Sequence, residues 1–247
     1  MHSSCYRKVF LLPTSSITSG MKPCSCSIPN NLHVKFSNGS SSLNCRKPVR
    51  KPQARSIFRY HRCMTASLPK VIFLHGNSGE GVGHYWFPYA LRAFKKLGFE
   101  VVAKDFPDAR LARKSIWLPF LEHECGADEH SILIGHSSGA IAAMRFAEKH
   151  KIFGSVLVGA YYTDTGVENE RLSGYFDDPW NWEAIRRNQN WIIQFASVDD
   201  PFFPVEEPRL VHEKLQTEYH EFTNRGHFFE KEFPELIEAV SRKCSIP

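Results

Sequence analysis

The chain has 247 residues, 42% of them hydrophobic, which is room for one large domain with a real core or for a domain plus an extension. Its net charge of +5 is spread unevenly. Residues 1–70 hold 12 of the 31 Lys and Arg and no acid, leaving 19 basic against all 26 acidic residues in the remainder. An acidic domain is not expected to bind nucleic acid, and no apolar run approaches the ~20 residues of a membrane span. Five of the seven cysteines (Cys5, Cys24, Cys26, Cys45 and Cys63) lie in the leader, so Cys125 and Cys244 imply no disulfide framework.

Residues 1–66 are rich in Ser, Thr, Arg, Lys, Pro and Asn and show no sustained apolar period. Such a segment cannot bury enough surface to offset its ordering entropy, so disorder is expected. A basic, hydroxylated, acid-free N-terminus has the composition of an organelle transit peptide. A plastid destination is therefore expected, with the processing region between Arg59 and Ser67. A mitochondrion is the alternative, as is the cytosol after processing or after a start at Met64. A basic tail that binds polyanions is a further reading.

The domain is expected over 67–247. Val71–Leu74 reads as a buried parallel strand running into the Gly-rich loop 75–81. That loop lacks the G-x-G-x-x-G spacing and the Lys of a phosphate-binding loop. Residues 85–97 have the period of an amphipathic helix, 99–106 that of a second strand stopped by Pro107, and 109–124 that of a helix which Pro119 should bend or split. The short apolar run Ile132–Ile134, opening at Ser131, is the third strand, turning through Gly135–Gly139 into an Ala-rich helix over 138–150. Residues 155–160 form the fourth strand, and 161–182 an irregular aromatic stretch long enough for a small lid. Residues 182–187 can form a short helix, 191–196 the fifth strand, 205–218 a helix, 219–223 a short sixth strand and 230–244 the last helix. Strands alternating with helices of this length predict a sheet of about six mostly parallel strands with helices on both faces.

Between the third strand and its helix stands Gly135-His136-Ser137-Ser138-Gly139, the G-x-S-x-G pattern of a nucleophile elbow. The turn is so tight that only small neighbours leave room for it. It lifts the Ser137 hydroxyl clear of the sheet and turns the Ser138 N–H toward a developing oxyanion. The loop after the first strand supplies the second such N–H, from Asn77; an ordinary strand-to-helix turn is the alternative use of that loop. In doubly wound sheets the site lies at the carboxyl ends of the strands. Those ends carry Ser137, the Asp199–Asp200 pair and, in a Gly-His turn, His227. The order Ser, Asp, His is that of serine hydrolases built on this architecture. Of the two acids, Asp200 is favoured as the partner of His227, with Asp199 as a turn or capping residue. His136 is expected to be a packing residue. No His or Cys grouping has metal-ligand spacing, and no metal is expected.

The strings S-I-W-L-P-F (115–120), I-G-H-S-S-G-A-I-A-A-M-R-F-A-E (134–148), E-N-E-R-L-S-G-Y-F (168–176), D-D-P-F (199–202) and G-H-F (226–228) resemble the retinoblastoma-binding protein 9 family of serine hydrolases, from residue 70 to about 245. The resemblance implies one α/β-hydrolase domain without a large cap or cofactor, and a triad of Ser137, Asp200 and His227. One motif departs from it: L-x-C-x-E around Cys125 would need Leu and Glu where His123 and Ala127 stand. The pocket-protein interaction is therefore not expected here.

The expected activity is hydrolysis of a small ester, amide or thioester through an acyl-Ser137 intermediate. A substrate pocket is expected from His75, Trp86, Tyr161, Phe176, Trp180 and Phe202, in a monomer. The alternatives are a non-catalytic receptor or binding module on the same fold, or a lyase using the same triad.

Overall fold

In the computed structural model, the residues described are 68–246 apart from Ser78 and Glu80. The leader, with its expected disorder, processing region and destination, lies outside them. Six strands pair in the order β2-β1-β3-β4-β5-β6, and every pairing is parallel. They are β1 (Lys70–Leu74), β2 (Val101–Val102), β3 (Ser131–His136), β4 (Gly154–Val158), β5 (Ile192–Ser197) and β6 (Glu218–Phe222).

Because side chains alternate across a strand, each central strand feeds two cores. On one face Val71, Phe73, Ile132, Ile134, Val156, Val158, Ile193 and Phe195 pack under α1 (Phe87–Lys96) and α7 (Pro234–Lys243). On the other, Ile72, Leu74, Leu133 and Leu157 pack under α2 (Lys114–Pro119), α3 (Ser138–Ala147), α5 (Trp182–Arg187) and α6 (Glu206–Leu215). Helix α3 is buried along its whole length.

The second strand is shorter than its apolar pattern predicts, two residues rather than eight; it is an edge strand paired through Val101 and Val102 alone. The helix expected over 109–124 splits where Pro119 stands. Proline lacks the N–H an α-helix needs there, and the chain continues as a π-helical turn over Phe120–Glu124. Between β4 and α5 the stretch read as a lid contains one short helix, α4 (Glu168–Ser173).

The chain crosses from β1 out to the edge at β2 and returns on the far side of β1 as β3. The loops leaving β1 and β3 thus diverge around one point at the carboxyl edge of the sheet, where such folds place their sites.

Candidate active site

Ser137 sits between β3 and α3 with φ 55° and ψ −123°, a backbone conformation that only a closely constrained non-glycine residue holds. The constraint is visible in its flanking glycines. A Cβ at Gly139 would lie 2.2 Å from the Leu74 carbonyl oxygen, and one at Gly135 would lie 2.4 Å from that of Gly139. Strand, turn and helix therefore approach closer than any other residue permits. The Ser137 N–H donates to the Val158 carbonyl at 2.9 Å, tying the elbow to the end of β4. Ser138 is the first residue of α3, so its N–H is among those a helix leaves unpaired at its start.

His227 follows β6, and its Nδ1 donates to Asp200 Oδ2 at 2.7 Å. Both side chains are buried, at 5% and 1% exposure, so the pair is shielded from competing water. This bond leaves Nε2 as the acceptor nitrogen of a neutral ring. The imidazole lies over Gly159, where a Cβ would be 3.3 Å from its Cε1. Gly159 is the neighbour of Val158, the residue that anchors Ser137. No hydrogen bond joins the Ser137 hydroxyl to the ring among the described residues, and both line one cavity.

The two acids have divided their tasks. Asp200 meets the imidazole, and its Oδ1 accepts from the Phe202 N–H at 3.0 Å. Asp199 turns the other way and accepts from Ser197 Oγ at 2.6 Å and from the Gly226 N–H at 2.9 Å, pinning the loop that carries His227. His136 supports the same loop through Nε2, which donates to the His227 carbonyl at 2.8 Å. Burial, with the nearby His227 adding, drives its pKa down to about 3, so it stays neutral. His75 is likewise held neutral by burial: Nε2 accepts from the Phe106 N–H and Nδ1 donates to the Gly76 carbonyl, each at 2.8 Å. Neither ring is free for proton transfer.

The cavity has a volume of about 390 Å³. Of the residues expected in its wall, His75, Tyr161 and Phe202 line it, as do Asn77, Ser137 and His227. Three do not. Trp86 is wholly buried in the α1–α7 core, stacked on Phe87 at 4.2 Å. Phe176 packs behind Tyr161 at 5.8 Å. Trp180 is drawn outward: its Nε1 donates to the Tyr162 carbonyl, and the Arg145 guanidinium sits 3.6 Å over its ring. Trp180 thus holds the insertion to α3 instead of facing the site, whereas Tyr161 does face it.

Phe203, Phe229 and Glu170 line the cavity and were not anticipated. The two phenylalanines lie within three residues of Asp200 and His227, a proximity that could have marked them. Glu170 had no such mark. One of two glutamates in a short polar helix, it is buried and its pKa is raised, chiefly by that burial. Among the described residues no group of three or more His, Cys, Asp or Glu could hold a metal ion.

Residues 71–240 match the family model described as Serine hydrolase. Serine hydrolase RBBP9 of Rattus norvegicus is 50% identical over 177 residues, 71% of this chain and 95% of that protein. Among solved structures, the ydeN gene product of B. subtilis superposes with a TM-score of 0.63 at 20% identity, covering 72% of this chain and 99% of that one. The Pyrococcus furiosus esterase PF2001 does so with a TM-score of 0.53 at 19% identity, covering 72% and 81%. At these identities the two structures speak for the fold alone, and the fold is that of the α/β-hydrolases.

Proposed function

We propose that this chain, which belongs to the serine hydrolase family, cleaves small esters, amides or thioesters through an acyl intermediate on Ser137. In the proposed cycle His227 Nε2 takes the hydroxyl proton as Ser137 Oγ attacks the carbonyl carbon. Asp200 holds the ring in the tautomer that presents Nε2 and stabilises the imidazolium. The N–H groups of Asn77 and Ser138 receive the oxyanion. The imidazolium returns its proton to the leaving group as the carbon–heteroatom bond breaks. Water, deprotonated by the same ring, then releases the acid and restores Ser137. A cavity of about 390 Å³ walled by Tyr161, Phe202, Phe203 and Phe229 suits a modest apolar acyl group.

The observation that carries this reading is the buried His227–Asp200 bond at 2.7 Å beside a serine held at φ 55°. Ser137→Ala should abolish labelling by a fluorophosphonate and reduce turnover of activated esters by about 10⁶, with the fold unchanged. Turnover at the wild-type rate in that variant would refute it. The leader supports a further reading, import into plastids: with no acid in the first 70 residues and 12 basic ones, it has the charge such signals carry. A fluorescent fusion of residues 1–70 should be imported, and a purely cytosolic signal would overturn the assignment.

A further inference from the structure

The cavity that His227 lines holds a second polar group, which the cycle above leaves unused. Glu170, on α4, is 7% exposed and lines the cavity. Its Oε1 accepts from Asn77 Nδ2 at 2.5 Å and from Ser138 Oγ at 3.4 Å. These are the two residues whose backbone N–H groups are assigned to the oxyanion. Tyr161 closes the cluster, its hydroxyl 3.3 Å from Ser138 Oγ and also bonded to Glu170. The other carboxyl oxygen, Oε2, is buried without a partner.

We propose that Glu170 is a positioning residue for the oxyanion hole: one buried oxygen, reaching in from α4, holds the side chains of both donor residues and so fixes where their N–H groups point. The inference rests on the acyl-Ser137 reading.

The need is unequal between the two donors. Ser138 belongs to a buried helix and is already held. Asn77 belongs to a loop with Gly76, Gly79 and Gly81, whose backbone has few intrinsic limits. That loop is tied at its base through His75 and at its far end by the Val82 N–H, which donates to Asp105 Oδ1 at 2.9 Å. Between these ties the Asn77 side chain reaches Glu170. An oxyanion donor works only when it is preorganised within a few tenths of an ångström, and a misplacement of about 1 Å costs on the order of a hundredfold in rate. The carboxyl also needs a reason to be there. Burying it with one oxygen unpaired is unfavourable, and an apolar side chain would fill the same space without that penalty. The bonds that Oε1 makes to Asn77 and Ser138 supply the reason.

The test uses the full chain, p-nitrophenyl acetate as substrate and phenylboronic acid as an inhibitor whose tetrahedral serine adduct occupies the oxyanion hole. Glu170→Ala should lower kcat by about ten- to a hundredfold with KM little changed, and weaken phenylboronic acid by a similar factor. Glu170→Gln keeps an amide oxygen where Oε1 stands and should restore both to within about threefold. Asn77→Ala should repeat the Glu170→Ala pattern, and the double variant should be no slower than the slower single one, since the contact that Asn77→Ala breaks is among those that Glu170→Ala breaks. If Glu170→Ala does not fold, Asn77→Ala and Glu170→Gln carry the same comparison. Wild-type kcat and boronate affinity in Glu170→Ala, a loss confined to KM, or a Gln variant as impaired as Ala would overturn the proposal. A wild-type enzyme that fluorophosphonate does not label would instead refute the acyl-Ser137 reading itself.

Discussion

On one flank of Ser137 the Asp200 carboxylate meets His227, and both of its oxygens find donors. On the other flank the Glu170 carboxyl reaches Asn77 and Ser138 with one oxygen and leaves the second unpaired. The first flank is assembled from the ends of β3, β5 and β6, inside a sheet whose register fixes where each strand stops. The second is assembled by the insertion between β4 and α5, which has no sheet to place it. Long-range side-chain anchors place it instead. Glu207 accepts from the Tyr162 and Thr163 N–H groups where the insertion begins, and Arg145 donates to the Tyr175, Pro179 and Asp178 carbonyls near its end. One site thus has a half positioned by backbone geometry and a half positioned by side chains.

The largest expected effect falls on the first flank. Asp200→Asn should lower kcat by about 10⁴, because the amide can hold His227 only in the wrong tautomer. Asp199→Asn should leave kcat near the wild-type value and lower thermal stability, since Asp199 bonds Ser197 and Gly226 and not the imidazole. A reversal of the two phenotypes would break the division of labour between these neighbours. Next in size is Gly139→Ala, whose Cβ would lie 2.2 Å from the Leu74 carbonyl oxygen, a backbone atom that cannot swing aside. It should cost about 3 kcal/mol or more, read as a fall in the urea midpoint. Gly166→Ala, in the insertion, has nothing within 4 Å of the new Cβ and only its φ of +77° to resist it. That change should cost about 1–2 kcal/mol. Equal costs would mean that the elbow is less rigid than its contacts imply.

Arg145→Leu should come third, at about 2–3 kcal/mol, because it strands buried carbonyls that the guanidinium now serves and removes the cation stacked on Trp180. Arg145→Lys should recover less than half of the loss, since an ammonium cannot reproduce the planar fork. Full recovery would show that charge alone holds the insertion.

The same division decides what the sequence could tell. Ser137, Asp200 and His227 each lie within a few residues of a strand end, and strand ends are marked by apolar runs, glycines and prolines. The strand ends that carry them, the parallel sheet and the break at Pro119 could all be read in advance. The pocket could not. Trp86, Phe176 and Trp180 belong to aromatic stretches that look suited to a binding wall, yet Trp86 is the residue just before α1 and points into the core, and Arg145 claims Trp180. Glu170 gave no sign because the polar run Glu168-Asn169-Glu170-Arg171 has no apolar period to show which side is buried. Only the turn of α4 against Tyr161 and Asn77 does that. The overlong reading of the second strand has a related cause: residues 99–106 carry strand-forming apolar residues up to a stop at Pro107, but pairing decides a strand's length, and at the sheet edge only Val101 and Val102 find partners.

The smallest effect separates the flanks by acid. His136 is buried behind His227 with a pKa of about 3, against 6.5 when exposed. The unfolded chain therefore binds a proton below pH 6.5 that the folded chain refuses until about pH 3, so this group withdraws stability as pH falls through that window. Between pH 7 and 5 its share is on the order of 2 kcal/mol. His75, also depressed by burial, adds in the same direction. Glu170 opposes them, because a carboxyl whose folded pKa is raised gains stability as pH falls. The informative quantity is thus a difference: the drop in stability from pH 7 to pH 5 should be smaller in His136→Gln than in the wild type by about that amount. Glutamine can still donate to the His227 carbonyl, so the pH 7 values should lie close together. Ordinary carboxylates titrate below about pH 4.5 and do not enter this range. Parallel declines in the two proteins would mean that His136 takes up its proton with the fold intact, and that the first flank is more open to water than its burial indicates.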